Sequence, residues 1–313
     1  MHLYPFITYI FVEIMLFHTN QGMVIILVLF CFFVSYTATT NTFTVNAITS
    51  GKYDVPTKDQ SEKNLTNEVN IENEKKPKSM TGDKFLFDII KQYDTNRNIK
   101  SYIVKLKPEL TNIYKQVGFS SKSQNVAFIY PLFTQAAYKQ GGFYDYYKKI
   151  CGTDCLTVHI STEINGSYSS SISAAFVLKL LNYSQINDME IDKDPGILKK
   201  YDKVIVLHNE YVTKKEFDAI THHPNVVYLF PNALYAQVKA DYNNGTITLI
   251  RGHEYPSQSI ANGFSWQYDN SKYEYDNKCV SWQFTKIPNG KMLNCYPSFK
   301  ILTNQSLLYA IKN

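Results

Sequence analysis

The 313-residue sequence predicts an α/β domain built on a mostly parallel sheet, and three observations carry that prediction. Short apolar runs at 126–130, 156–160, 201–207 and 225–230 are separated by segments with helical periodicity. Strand, helix, strand, helix, strand at this spacing is the pattern of βαβ units. The composition, 44% hydrophobic and 15% aromatic, supports a sizeable core and excludes intrinsic disorder as the overall class. The expected architecture is a Rossmann-like or flavodoxin-like sheet followed by a C-terminal antiparallel β extension.

The amino terminus differs from the rest of the chain. Residues 1–51 contain no Lys or Arg and one acid, Glu13. Two apolar runs, 3–17 and 23–36, are each shorter than the roughly 20 residues that cross a bilayer as a helix. The second has the length of a signal-peptide core, and Val45-Asn46-Ala47 suits cleavage. Residues 1–47 are therefore expected to be a signal peptide or membrane anchor, with the membrane as a partner through this apolar segment. A polar linker follows at 48–82. The α/β domain is expected over 83–250, and a β-rich extension over 251–313.

The body opens with Phe85, Leu86, Ile89, Ile90 and Tyr93, spaced as on one face of a short helix. The run 126–130 ends at Pro131, as a buried strand does, and 156–160 is a second strand. Helical periodicity spans 169–181, with serines at its start able to cap it. The run 201–207 is the clearest strand. Thr213 then caps a helix, with Glu216 three residues on to complete a capping box, and His222-His223-Pro224 ends it. Two hairpins close the chain, one around Asn244-Gly245 and one around Asn289-Gly290.

Cysteine usage and glycosylation acceptors point to an oxidising compartment, with the chain secreted or held in the cell envelope. Four cysteines lie outside the N-terminal apolar runs: Cys151, Cys155, Cys279 and Cys295. They allow three pairings. With Asn289-Gly290 as the turn, Cys279 and Cys295 sit out of register, so either Cys279 precedes its strand and folds back or it pairs with Cys151 or Cys155. The pairing 151–155 with 279–295 is slightly favoured over the others. Asn64, Asn165, Asn182, Asn244 and Asn304 stand in Asn-X-Ser/Thr acceptors.

In a parallel sheet the ligand crevice lies at the carboxyl ends of the strands. His208, Asn209, Glu210 and Tyr211 occupy that position after the most apolar strand. An imidazole, a carboxylate and a phenol there can bind a metal or move protons, so His208, Glu210 and Tyr211 are the expected catalytic group. Arg251, His253 and Glu254 leave the first hairpin, and Gln135 follows the first strand. With Asn209 these are the expected second contributors to the pocket. A net charge of +5 with only two arginines, Arg97 and Arg251, does not suit a nucleic-acid partner. The C-terminal aromatics, Trp266 and Trp282 among them, suit a small-molecule or glycan ligand.

The stretch Tyr-Asp-Lys-Val-Ile-Val-Leu at 201–207, its polar exit and its Thr-started helix resemble the class I glutamine-amidotransferase-like superfamily. More narrowly they are similar to the C-terminal domain of dimethylformamidase large-subunit-like proteins and to ThuA-like proteins. No Gly-X-Cys-X-Gly elbow is present, so glutaminase chemistry is not expected. The dimethylformamidase resemblance implies amide hydrolysis at an iron held by Tyr and Glu side chains, onto which Glu210 and Tyr211 map. Zinc is the other metal considered. The Lys-, Asn- and Tyr-rich style of the chain also resembles exported proteins of ammonia-oxidising archaea. The expected function is thus a metal-assisted hydrolase; the alternative is a non-catalytic cell-envelope domain binding a glycan or a protein.

Overall fold

The computed structural model describes residues 85–162, apart from 94 and 96–98, and residues 171–313, together with three N-terminal strands. The linker at 48–82 and the acceptors Asn64 and Asn165 lie outside the described residues. The chain divides into two units, Met1–Thr40 and Asn41–Asn313.

In the first unit, β1 (Ile10–Thr19) and β2 (Gly22–Cys31) form an antiparallel hairpin whose register runs from Ile10↔Cys31 to Thr19↔Gly22. The expected membrane partner is corrected on this point: the described parts of the two apolar runs are strands, not an anchor helix. Among the described residues, no helix is long and apolar enough to cross a membrane.

The second unit is a mixed α/β fold. It begins with β3 (Phe43–Asn46), β4 (Phe87–Tyr93) and β5 (Ile99–Leu106), which form a three-stranded antiparallel sheet in the order β3-β5-β4. The helix expected at 85–93 is therefore a strand. Its Ile89 and Ile90 stand opposite Val104 and Ile103 of β5, and β-branched residues on both strands favour that ladder. A helix α1 (Thr111–Val117) follows.

The central sheet contains β6 (Val126–Tyr130), β8 (Ser184–Asn187), β9 (Lys203–Val206), β11 (Val226–Tyr228), β14 (Phe284–Ile287) and β15 (Gly290–Leu293). Its order is β14-β15-β11-β9-β6-β8; all neighbours are parallel except β14 and β15. β6, β9 and β11 are buried along their whole length, as parallel strands covered on both faces must be.

Strand alternation sorts the core into two layers. Phe128, Tyr130, Ile205, Leu207 and Val227 face α1, α4 (Ile172–Leu180), α7 (Lys300–Thr303) and α8 (Gln305–Lys312). Ala127, Ile129, Val204, Val206 and Val226 face α5 (Asp188–Lys193) and α6 (Lys214–Thr221). Ser171 precedes α4 without a side-chain cap, whereas Asn187 and Glu190 form a capping box on α5.

A second sheet has the order β10-β12-β13-β7, from β10 (Tyr211–Val212), β12 (Ala236–Asp241), β13 (Thr246–Arg251) and β7 (Thr157–His159). β7, expected among the alternating βα units, instead pairs antiparallel with β13. Phe133 and Ala136 of α2 (Leu132–Ala137) and Phe143 of α3 (Phe143–Tyr147) pack on this second sheet.

The last hairpin turns at Pro288-Asn289, one residue earlier than expected, and Gly290 is already the first residue of β15. The cysteines pair as 151–155 and 279–295. Cys279 lies ahead of β14 with φ +50° and folds back to Cys295 at a Cα separation of 5.2 Å. Closing a 16-residue separation, this bridge is worth about 3 kcal/mol in the chain-entropy account. Cys279→Ser with Cys295→Ser is expected to lower stability by that amount in urea unfolding. The loss of Cys151–Cys155, four residues apart, should cost less.

Candidate functional site

The strand order reverses between β6 and β9: from β6 the chain crosses outward to β8, and from β9 it crosses the other way to β11. In open α/β sheets ligands bind at the carboxyl ends of the strands that flank such a reversal, here β6 and β9. The β9 exit is pinned there by its backbone. Asn209 Oδ1 accepts the Leu207 N–H at 3.0 Å, and the N–H groups of Glu210 and Tyr211 donate to Thr134 Oγ1 of α2 at 3.0 and 3.2 Å. The Glu210 carbonyl accepts from Tyr235 and Ala236 at 3.0 and 2.8 Å, which docks the exit on β12.

This backbone drives the Glu210 side chain, 0% exposed, into a cluster of donors. Tyr138 Oη donates to Oε2 at 2.7 Å. Tyr144 Oη lies 3.1 Å from Oε1, 3.4 Å from Oε2 and 2.8 Å from Tyr138 Oη. His253 Nε2 hydrogen-bonds Oε1, and His208 Nε2 stands 3.3 Å from Oε2. Burial pushes the Glu210 pKa up, but the His253 and His208 imidazoles beside it outweigh burial and hold it well below the usual carboxylate range. Burial, reinforced by the Glu210 charge, pushes the Tyr138 and Tyr144 phenols well above their ordinary value.

His253 reaches the cluster from the β13 exit on a strained turn. Gly252, His253 and Glu254 all have positive φ, at 123°, 51° and 62°, and such runs concentrate at functional sites. Gly252 is required there: a Cβ would stand 2.8 Å from the Ala236 Cα. The His253 ring lies 4.7 Å from Tyr235, 5.1 Å from Tyr147 and 5.6 Å from Tyr211, centroid to centroid. Its side chain is 22% exposed, against 2% for His208.

Three of the expected residues, His208, Glu210 and His253, therefore meet. Tyr211 packs on His253, but its hydroxyl pairs with Tyr147 Oη at 3.3 Å and makes no hydrogen bond to Glu210. Asn209 and Gln135 are buried and bonded elsewhere, to Asp188 and to Tyr130. Arg251 and Glu254 are exposed. The phenols that do meet Glu210, Tyr138 and Tyr144, lie 72 and 66 residues away in sequence and carry no motif. Asn244 is exposed in its turn, whereas the Asn182 amide donates to the Phe119 carbonyl and Asn304 caps α8. A cavity of about 280 Å³ opens at the exits of β6 and β8, lined by Tyr130, Asn187 and Met189, and neither Glu210 nor His253 lines it.

The cluster supports one ligand set. Among the described residues, no group of three or more His, Cys, Asp or Glu is arranged to hold a metal ion. Two phenols and a carboxylate, however, bring their oxygens within 2.7–3.4 Å of one another. An all-oxygen set of this kind suits a hard cation such as ferric iron better than zinc, which favours nitrogen and sulfur. With a cation held there, the two imidazoles would be the neighbours that orient the carboxylate. No protein-family model matches the chain, and no curated protein matches it.

Proposed function

We propose that the chain is an exported, metal-assisted hydrolase of amide bonds whose metal is held by Tyr138, Tyr144 and Glu210. The observation that carries this reading is the convergence of those three oxygens in a buried cluster beside two histidines. It shifts the ligand pair from Glu210 and Tyr211 to Glu210 with two other phenols, and it fits the tyrosine–glutamate site that the dimethylformamidase resemblance implies. The parallel-strand order β8-β6-β9-β11-β15 supports a flavodoxin-like sheet of amidotransferase-like type, with the cluster at its switch point. Two disulfides support an extracellular or envelope location.

Tyr138, Tyr144 and Glu210 would hold the ferric ion, which would supply Lewis acidity toward an amide carbonyl. The residues supply the rest. Hydrolysis adds water across the C–N bond, so one proton leaves the attacking water and one reaches the departing nitrogen. His253, the partly exposed ring of the cluster, is placed to carry a proton at the nitrogen not engaged by Glu210. Glu210 fixes that ring's orientation, and the rings of Tyr147, Tyr211 and Tyr235 wall it.

The test is metal analysis of the full chain purified under oxidising conditions, with hydrolysis of small N-substituted amides as the second readout. About one equivalent of iron is expected, lost in Tyr138→Phe and Tyr144→Phe and retained in Tyr211→Phe. A specific observation favours a second reading: the cluster's oxygens are already hydrogen-bonded, and Trp266 packs against Tyr228 and Tyr268 as a half-buried aromatic face. A metal-free, folded chain without amidase activity would put that reading, a non-catalytic envelope domain binding a glycan or a protein, ahead.

A further inference from the structure

Three neighbouring strands of the central sheet end at one carboxylate. Asp188 follows Asn187, the last residue of β8, and Asn187 stands opposite Tyr130, the last residue of β6. The Asp188 side chain is fully buried. Its Oδ2 accepts the Phe133 N–H at the start of α2, at 2.7 Å, and its Oδ1 accepts Asn209 Nδ2 in the β9 exit, at 2.5 Å. Asn209 extends the chain of contacts: its Oδ1 accepts the Leu207 N–H at 3.0 Å. Both partners of Asp188 adjoin the Glu210 cluster. Asn209 precedes Glu210 itself, and Thr134, next to Phe133, accepts the Glu210 and Tyr211 N–H groups. Tyr138, which donates to Glu210 Oε2 at 2.7 Å, closes the same helix α2.

We propose that Asp188 is a positioning residue for Glu210: by joining α2 to the β9 exit, its carboxylate sets the Glu210 side chain against the Tyr138 hydroxyl. The joint stands on hydrogen bonds alone and holds whether or not the cluster takes a metal.

The polarity of the network makes a carboxylate necessary at 188. Two donors, the Phe133 N–H and Asn209 Nδ2, point at it, and a carboxylate answers with two acceptors and no donor of its own. The amide at 209 gives one donor to Asp188 and one acceptor to Leu207. Asp188→Asn keeps the shape but adds one donor too many. With its oxygen toward Phe133, the new amide turns its nitrogen on Asn209 Nδ2. Turning Asn209 over moves the conflict to the Leu207 N–H without removing it. A buried donor left without an acceptor costs its desolvation, so the β9 exit is driven away from α2. Adding Asn209→Asp removes the conflict. The amide at 188 then donates to a carboxylate at 209, which still accepts the Leu207 N–H, and every contact returns with one donor and acceptor exchanged.

The test compares the full wild-type chain, Asp188→Asn, the exchanged pair Asp188→Asn with Asn209→Asp, and Gly290→Ala as a control for lost stability alone. Gly290 lies at the amino end of β15, away from the strand exits. The readout is the ring carbon–proton NMR signals of His208 and His253, the two rings facing Glu210, recorded at one pH on chelator-treated protein. Both signals should move in Asp188→Asn, return toward their wild-type positions in the exchanged pair, and stay in place in Gly290→Ala. Signals unmoved in Asp188→Asn, left displaced in the exchanged pair, or displaced alike in Gly290→Ala overturn the proposal, as does an exchanged pair that does not fold. If Asp188→Asn itself does not fold, the exchanged pair decides alone. Iron binding is the second readout, and only this one rests on the hydrolase reading: affinity should fall about tenfold or more in Asp188→Asn and recover in the exchanged pair. A wild type that takes no iron removes that reading and leaves the histidine signals to decide whether Asp188 positions Glu210.

Discussion

Glu210→Ala is expected to lose bound metal and to lower the stability of the fold by about 3–5 kcal/mol, the cost of removing one partner from a buried charged network. The loss is not the value of one hydrogen bond. Truncation strands the Tyr138 hydroxyl, leaves Tyr144 only its bond to Tyr138, and removes the carboxylate from the facing nitrogens of His208 and His253 in a pocket where Glu210 itself is fully buried. Each buried donor left without an acceptor costs about 1–3 kcal/mol. Glu210→Gln should be nearly as costly despite its shape, because an amide nitrogen then points a donor at donors. Urea unfolding of the two variants measures both. A Glu210→Gln variant within about 0.5 kcal/mol of wild type, the range of an ordinary surface substitution, would show that the cluster is not arranged as described.

Gly290→Ala should be comparably damaging, at about 3 kcal/mol or more, for a backbone reason. Gly290 opens β15 opposite Val226 of β11, at φ +156°. A Cβ there would fall within 1.8 Å of the Val226 carbonyl oxygen and 2.7 Å of its nitrogen. Backbone atoms have nowhere to go, so β15 must part from β11 or the chain must rebuild the turn. Parting would also break the Val226 N–H bond to the Asn289 carbonyl at 2.8 Å. A Tm lowered by roughly 10 °C is the expected result in thermal unfolding. Gly245→Ala is the control: that glycine also has positive φ, but a Cβ meets nothing within 4 Å, so its cost is conformational alone.

The strands of the central sheet were legible because their burial writes itself into the sequence. Val126–Tyr130 and the apolar run ending at Leu207 read as buried strands and are β6 and β9. Thr213 was legible as a cap, and its Oγ1 accepts the Glu216 N–H at 3.2 Å. The second half of that capping box is not formed: neither Glu216 carboxyl oxygen has a hydrogen-bond partner. Phe85–Tyr93 was misread as a helix because alternation and helical spacing overlap over so few apolar positions, and pairing with β5 decided between them.

The site was half legible. His208 and Glu210 stood out as polar residues at the end of an apolar strand, a position the parallel sheet makes significant. Tyr138 and Tyr144 did not stand out, in a chain with 25 tyrosines. What distinguishes them is that α2 and α3 fold back over the β9 exit, and nothing local encodes that.

The sequence by itself determined the alternating α/β pattern, the buried strands and the residues at their exits, since these follow from short-range periodicity and from which side chains leave water. Tertiary structure alone decided the strand order, the pairing of β7 with the second sheet, the fold-back of Cys279 and the phenols that reach Glu210. Those outcomes depend on contacts between residues far apart in the chain, where packing and the need to pair every buried polar group override local preference.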